Sequence, residues 1–318
     1  MKQLFFFFFL ITISTADAQY FSTVDAKVKS YPKFISAEKL ADLISEDFNS
    51  DTEKVRATYI WLTQNIRYDL AEYYSPTKTS YSFSYSSEEE KQQKITTLNN
   101  QIVSETLSSK KAVCEGYARV FAKICTLLKI ENEFIKGYIR NSPQEIGIPI
   151  FNANHAWNAV KINDEWRYFD ATWGAGHEEN GKWKRSFTNY FFDIPTEKLF
   201  FTHFPEQTIW QLRVKRLSKT AFYKQPIYNH KFLNTNLTLV FPTSGVIKKN
   251  KEGYIEFQIK NLKSTQKVFV GFKGSRYSQK PKINFKESTG FIKIIPPKSS
   301  KEAYLIIDGN VVLEFLIQ

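Results

Sequence analysis

Cys114, His155 and Asp170 are the three residues whose types and order could make and break an acyl bond. A thiolate attacks an acyl carbon, an imidazole takes the thiol proton and returns it to the leaving group, and a carboxylate fixes the imidazole tautomer and stabilises its cation. Taken singly, each has a commoner role. Most free cysteines are small buried hydrophobes, a lone histidine is usually a hydrogen-bonded structural residue, and an aspartate at a strand end often only closes a turn. The set in this order and context is far more specific than its parts.

The surrounding elements must bring the three together. Cys114 opens Ala112-Val113-Cys114-Glu115-Gly116-Tyr117-Ala118-Arg119 and a segment running to about Ile130. Ala118, Phe121, Cys125 and Leu128 recur there at spacings of three and four, which predicts one buried helix face. A thiol in the first turn of that helix feels unpaired backbone N–H groups, which favours thiolate. Downstream, Asn154-His155-Ala156-Trp157-Asn158-Ala159-Val160-Lys161-Ile162 and Glu165-Trp166-Arg167-Tyr168-Phe169-Asp170-Ala171-Thr172-Trp173 flank the pair Asn163-Asp164. Two aromatic and β-branched runs around such a pair predict a β-hairpin. In that register His155 faces Thr172, and Asp170 sits one diagonal step from His155 on the same sheet face, about 7–8 Å between Cα atoms.

These blocks carry a family resemblance. Cys114-Glu115-Gly116-Tyr117-Ala118, His155-Ala156-Trp157-Asn158 and Asp170-Ala171-Thr172-Trp173-Gly174 resemble the three signature blocks of the transglutaminase-like superfamily, and within it the kyphoscoliosis-peptidase and cytokinesis-protein branch. Ile60 to Asp69 is similar to the helix and strand before that core, and Gly137-Tyr138 to a strand between the cysteine and histidine blocks. Pro205 to Leu212 resembles a segment that follows the core. The likeness runs from about Ala37 to Leu217. It implies an α+β, papain-like core, with an N-terminal cysteine helix packed on an antiparallel sheet. It also implies a triad of Cys114 as nucleophile, His155 as base and Asp170 as orienter. The family usually has glycine two residues before the cysteine, where Ala112 stands here. The Cys114 backbone N–H is expected in the oxyanion hole, with Gln64, Trp61 and Tyr68 as candidates for the second donor.

The remaining chain sets the context. Lys2, the apolar run Leu4 to Ile13 and the small-x-small Ala16-Asp17-Ala18 read as a signal peptide over 1–18, with a mature start at Gln19 and a secreted or periplasmic protein. No other segment is long and apolar enough to predict a transmembrane span. In an oxidising compartment two cysteines would commonly pair. On one helix, however, their spacing puts Cys114 and Cys125 about 16 Å apart along the axis, against the roughly 7 Å between Cα atoms that a disulfide allows. Residues 19–224 are expected to form the catalytic domain. Within them Ala37 to Ile44, Thr52 to Ile66 and Ile95 to Leu107 read as helices, Tyr73 to Glu90 as a loop, and Gly174 to Gly181 as a glycine-bearing loop around His177. From 225 to 318, six or seven short alternating runs predict an all-β sandwich, with an immunoglobulin-like arrangement as one form and no disulfide.

Charge and motif content exclude some chemistry. Lys+Arg outnumber Asp+Glu by 20 to 7 over 201–318 and nearly balance before it, so the C-terminal part could dock on an anionic cell-envelope surface. Nucleic acid is not expected, since no binding motif is present. His155, His177, His203 and His230 form no zinc pattern, and no calcium or phosphate loop appears, so neither metal nor cofactor is expected. The reading is an exported cysteine enzyme acting on protein or peptide amide bonds, as peptidase, amidase or transglutaminase. The alternative is a catalytically silent, polypeptide-binding scaffold or adhesion protein.

Overall fold

A computed structural model describes residues 14–76 and 84–318 of the chain. The proposed signal run up to Ile13 lies outside the described residues, as does part of the Tyr73 to Glu90 segment. Ala16-Asp17-Ala18 falls within a helix, Ser14–Val28. Two compact units interleave along the sequence: residues 1–133, 160–165 and 169–192 form the first, and 134–159, 166–168 and 193–318 the second.

The first unit is a helical core. Ser36 caps the helix Ala37–Asp47, which buries Leu40, Ala41 and Ile44. Ser50 and Glu53 close a reciprocal capping box on Asp51–Asn65, whose Val55, Tyr59, Ile60, Trp61 and Leu62 are buried. The cysteine helix spans Cys114–Leu127 and buries Tyr117, Ala118, Val120, Phe121, Ile124 and Cys125. Arg56, buried in this core, is held by Asp25 at 2.7 Å and 2.8 Å, with its guanidinium over the Phe192 ring. That pairing is what a buried cation requires. One helix is longer than its sequence suggests. It runs Glu88–Ser109, so Glu88, Glu89 and Glu90 form its first turn rather than a loop. Ser87 accepts the Glu90 N–H there, and three acidic side chains complement the positive end of the helix dipole.

A four-stranded sheet carries the histidine block, in the order Glu165–Phe169, His155–Ile162, Asn132–Ile139, His203–Pro205. Asn163 and Asp164 both take positive φ, 52° and 63°, as the tight hairpin turn requires. The partner strand ends at Phe169, earlier than the alternation implied, and Ala171–Ala175 is helical. The expected loop around His177 is instead a second hairpin, Gly176–Glu179 with Lys182–Arg185.

In the second unit the C-terminal region forms two sheets. One has the order Thr238–Phe241, Ile255–Lys260, Thr289–Ile294, Lys282–Lys286. The other has Val246–Ile247, Asn310–Ile317, Glu302–Ile307, Val268–Phe272, with Ile227–Tyr228 added on Asn310–Ile317. Phe257 of the first meets Phe315 of the second at 5.2 Å between ring centroids, so the apolar faces of the sheets pack together. Arg140 staples the same unit, donating to the carbonyls of Gln225, Pro226, Tyr223 and Phe201 and lying over the Phe222 ring.

Candidate active site

Cys114 is the first residue of its helix, and Val113 before it is extended. Val113 provides no side-chain cap, and its carbonyl accepts the N–H groups of Gly116 at 3.1 Å and Tyr117 at 3.4 Å, so the sulfur sits at the positive end of the helix. The thiol is free and partly exposed, whereas Cys125 is free and buried, its pKa pushed up by that burial. Ala112, where the family usually has glycine, is tolerated because Gly116 opposite it has no side chain. A Cβ at Gly116 would also meet the Thr106 hydroxyl at 2.6 Å.

Asp170 is placed by capping, not by strand register as expected. Its Oδ1 accepts the N–H groups of Thr172 at 2.9 Å and Trp173 at 3.0 Å, and its own N–H donates to the Phe191 carbonyl. The carboxylate is buried. Its charge, after burial, helps raise the pKa of the Tyr59 and Tyr68 hydroxyls, and for Tyr117 it adds to burial against the lowering pull of Arg185.

His155 begins its strand, and Asn154 fixes that start. The Asn154 amide accepts the Ile139 N–H at 2.9 Å and donates to the Ile139 carbonyl at 3.1 Å. Ile139 is also the register partner of His203, so one backbone position brings two histidines together. Their rings lie 5.4 Å apart, with Trp157 5.0 Å from His203. Gly137 makes room for Trp157, since a Cβ there would lie 2.7 Å from Cζ3 of the indole ring and closer still to Cη2.

His155, Asp170 and His203 each bring one side-chain nitrogen or oxygen to within 4.8 Å of the others, and all three residues are buried. The structure therefore brings the expected base and orienter together. Cys114 is not a member of that set. His203 is the residue that sequence reasoning missed. Its Nδ1 shares a 2.8 Å hydrogen bond with the Thr202 hydroxyl, and no local motif marks it, because it lies on a three-residue strand far along the chain from Ile139. Two His and one Asp are also a donor set that could hold a metal ion. His177 is exposed on its hairpin. Trp61 is ruled out as a second oxyanion donor, because its indole N–H is already bonded to the Pro32 carbonyl at 3.1 Å.

The sequence profile of the transglutaminase-like superfamily matches residues 38–171. The kyphoscoliosis peptidase of Homo sapiens is 26% identical over 235 residues, covering 73% of this chain and 32% of that protein. Cytokinesis protein 3 of Saccharomyces cerevisiae is 25% identical over 201 residues, 61% of this chain and 20% of that one. The chain thus spans about a third or less of the length of these relatives. The crystal structure of a TGase aligns over 58% of this chain and 40% of its own at 16% identity, with a TM-score of 0.30.

Proposed function

With residues 38–171 a transglutaminase-like domain, we propose that this protein is an exported cysteine enzyme that forms a thioester on protein or peptide amide bonds. Cys114 is the nucleophile, His155 the base and Asp170 the carboxylate that orients it. The observation that carries the reading is that buried His155 and Asp170 have side-chain polar atoms within 4.8 Å of each other in a chain whose free, partly exposed thiol opens a helix.

In the forward step the Cys114 sulfur bonds to the amide carbon while its proton passes to His155. The imidazolium then gives that proton to the departing amine, and the C–N bond breaks. Water attacks the thioester next, with His155 accepting its proton, and releases the acid and the thiol. An amine in place of water would give transamidation. Hydrolysis is the less demanding outcome, and the peptidase name of the human relative agrees with it. Export rests on the Lys2, Leu4 to Ile13 and Ala16-Asp17-Ala18 pattern.

The test is to incubate the full chain and Cys114→Ala with a peptide library plus a fluorescent primary amine, reading cleaved and amine-linked products by mass spectrometry. Wild type should give a covalent acyl adduct on Cys114, and the variant no turnover while keeping its melting temperature. Turnover retained in Cys114→Ala would refute the mechanism. Polypeptide binding preserved in both, with no product from either, would favour the scaffold reading.

A further inference from the structure

Tyr68 lies on the strand paired with the residues that lead into Cys114, and its placement follows from the backbone. The two-residue strand Arg67–Tyr68 pairs in parallel with Lys111–Ala112, setting Tyr68 opposite Ala112. Arg67 N–H donates to Lys110 O at 2.9 Å and Asp69 N–H to Ala112 O at 3.0 Å, so Tyr68 is held on both sides. Paired residues of a parallel ladder project to the same face, and so do residues two apart on an extended strand. Val113 is extended, so Ala112 and Cys114 project to one side, the side on which Tyr68 stands.

The strand itself is anchored. The Tyr117 hydroxyl donates to the Ile66 carbonyl at 2.7 Å, and Arg185 donates to the same oxygen at 3.0 Å. The Tyr68 ring is wedged between Tyr73 and Trp183, each 5.8 Å away between ring centroids. Its hydroxyl has no hydrogen-bond partner among the described residues. Burial first, and the negative charge of Cys114 second, keep it protonated. A protonated O–H on the face of the nucleophile, with no acceptor among the described residues, is a donor without a task until charge develops nearby.

Resting on the acyl-transfer reading, we propose that the Tyr68 hydroxyl is the second oxyanion donor, binding the oxygen of the tetrahedral adduct on Cys114 beside the Cys114 backbone N–H. The Tyr68 proton is donated as a hydrogen bond and not transferred. The adduct collapses with the oxygen still held, so no other balance is needed. Trp61 is spent on Pro32.

The experiment compares Tyr68→Phe and Tyr73→Phe with wild type in two reactions: acylation by p-nitrophenyl acetate, which passes through an oxyanion, and alkylation by iodoacetamide, which does not. Losing one oxyanion donor should slow acylation by about 10²–10³-fold in Tyr68→Phe, through kcat with KM little changed. Alkylation of Cys114 and the melting temperature should stay at wild-type values, and Tyr73→Phe should behave as wild type. Acylation within threefold of wild type in Tyr68→Phe, or acylation and alkylation falling together, overturns the assignment. Failure of the wild type to be acylated at Cys114 is a separate outcome, which refutes the acyl-transfer reading and this assignment with it.

Discussion

Gly174→Ala is the sharpest probe of how Asp170 is positioned. Gly174 lies four residues after Asp170, and its N–H donates to the Asp170 carbonyl at 3.0 Å. A Cβ at Gly174 would lie 2.6 Å from Cζ of Tyr59 and closer still to its hydroxyl, whereas ordinary contact begins at 3.4 Å. The ring must therefore retreat by the difference, at least about 0.8 Å, or the Ala171–Ala175 helix must. Tyr59 has no room to yield. It is fully buried, with Phe192 5.2 Å and Phe187 6.3 Å away between ring centroids. Overpacking of this kind costs about 1–3 kcal/mol, and if the helix moves, Asp170 moves with it. A displacement near 1 Å at a catalytic group can cost about 10²-fold in rate. Stability is read from thermal melts. Rate is read as acylation by p-nitrophenyl acetate, with iodoacetamide labelling to count intact Cys114. Tyr59→Phe added to Gly174→Ala removes the hydroxyl clash but not the ring clash, so it should recover part of both losses. Full wild-type rate and an unchanged melt in Gly174→Ala would refute the packing argument.

Two further perturbations test the second unit. Arg140→Met should destabilise by at least about 3 kcal/mol in urea unfolding, because it strands several buried carbonyls at about 1–3 kcal/mol each; Arg140→Lys should not restore it, since an ammonium cannot span the same oxygens. Burial first, then the charge of Glu302, raises the Glu314 carboxyl from an ordinary 4.5 to about 7. A raised folded-state pKa means the folded state binds the proton more tightly, so its contribution is complete below about pH 4.5 and is lost as pH climbs through 7. Glu314→Gln should therefore flatten the melting temperature between pH 5 and 8 and raise it at the upper end, and an unchanged pH profile would remove Glu314 as the cause.

The separation between what the chain's local pattern revealed and what it hid has a physical basis. The cysteine helix, the helix over Asp51–Asn65 and the hairpin turn were readable because each is dictated by neighbours in sequence. Their signals are an apolar stripe at helical spacing, a Ser-x-x-Glu cap and an Asn-Asp pair with φ above zero. The longer C-terminal strands were readable from alternation; Ile227–Tyr228 and Val246–Ile247 are too short to show a period, and Lys282–Lys286 is mostly exposed, so its faces hardly alternate. Asp170 was expected as a strand position and is instead the N-cap of a short helix. Thr172 and Trp173 favour strands, but the Asp170 carboxylate competes for their N–H groups and wins, turning the chain into a helix. His203 was hidden for the opposite reason. Its neighbours His155 and Trp157 are supplied by a distant strand, so no window of sequence contains the signal.

That contrast bears on how the site works. A carboxylate held by strand register would follow the twist and breathing of the sheet. Asp170 instead spends one oxygen on two backbone N–H groups of its own helix and tethers its N–H to Phe191, so its position is set by a short, closed loop of hydrogen bonds. His155 is set independently, through the grip of Asn154 on Ile139. Each group is thus fixed by its own set of local hydrogen bonds. Gly174, whose N–H closes the turn on the Asp170 carbonyl, is therefore the position whose enlargement would disturb that loop first.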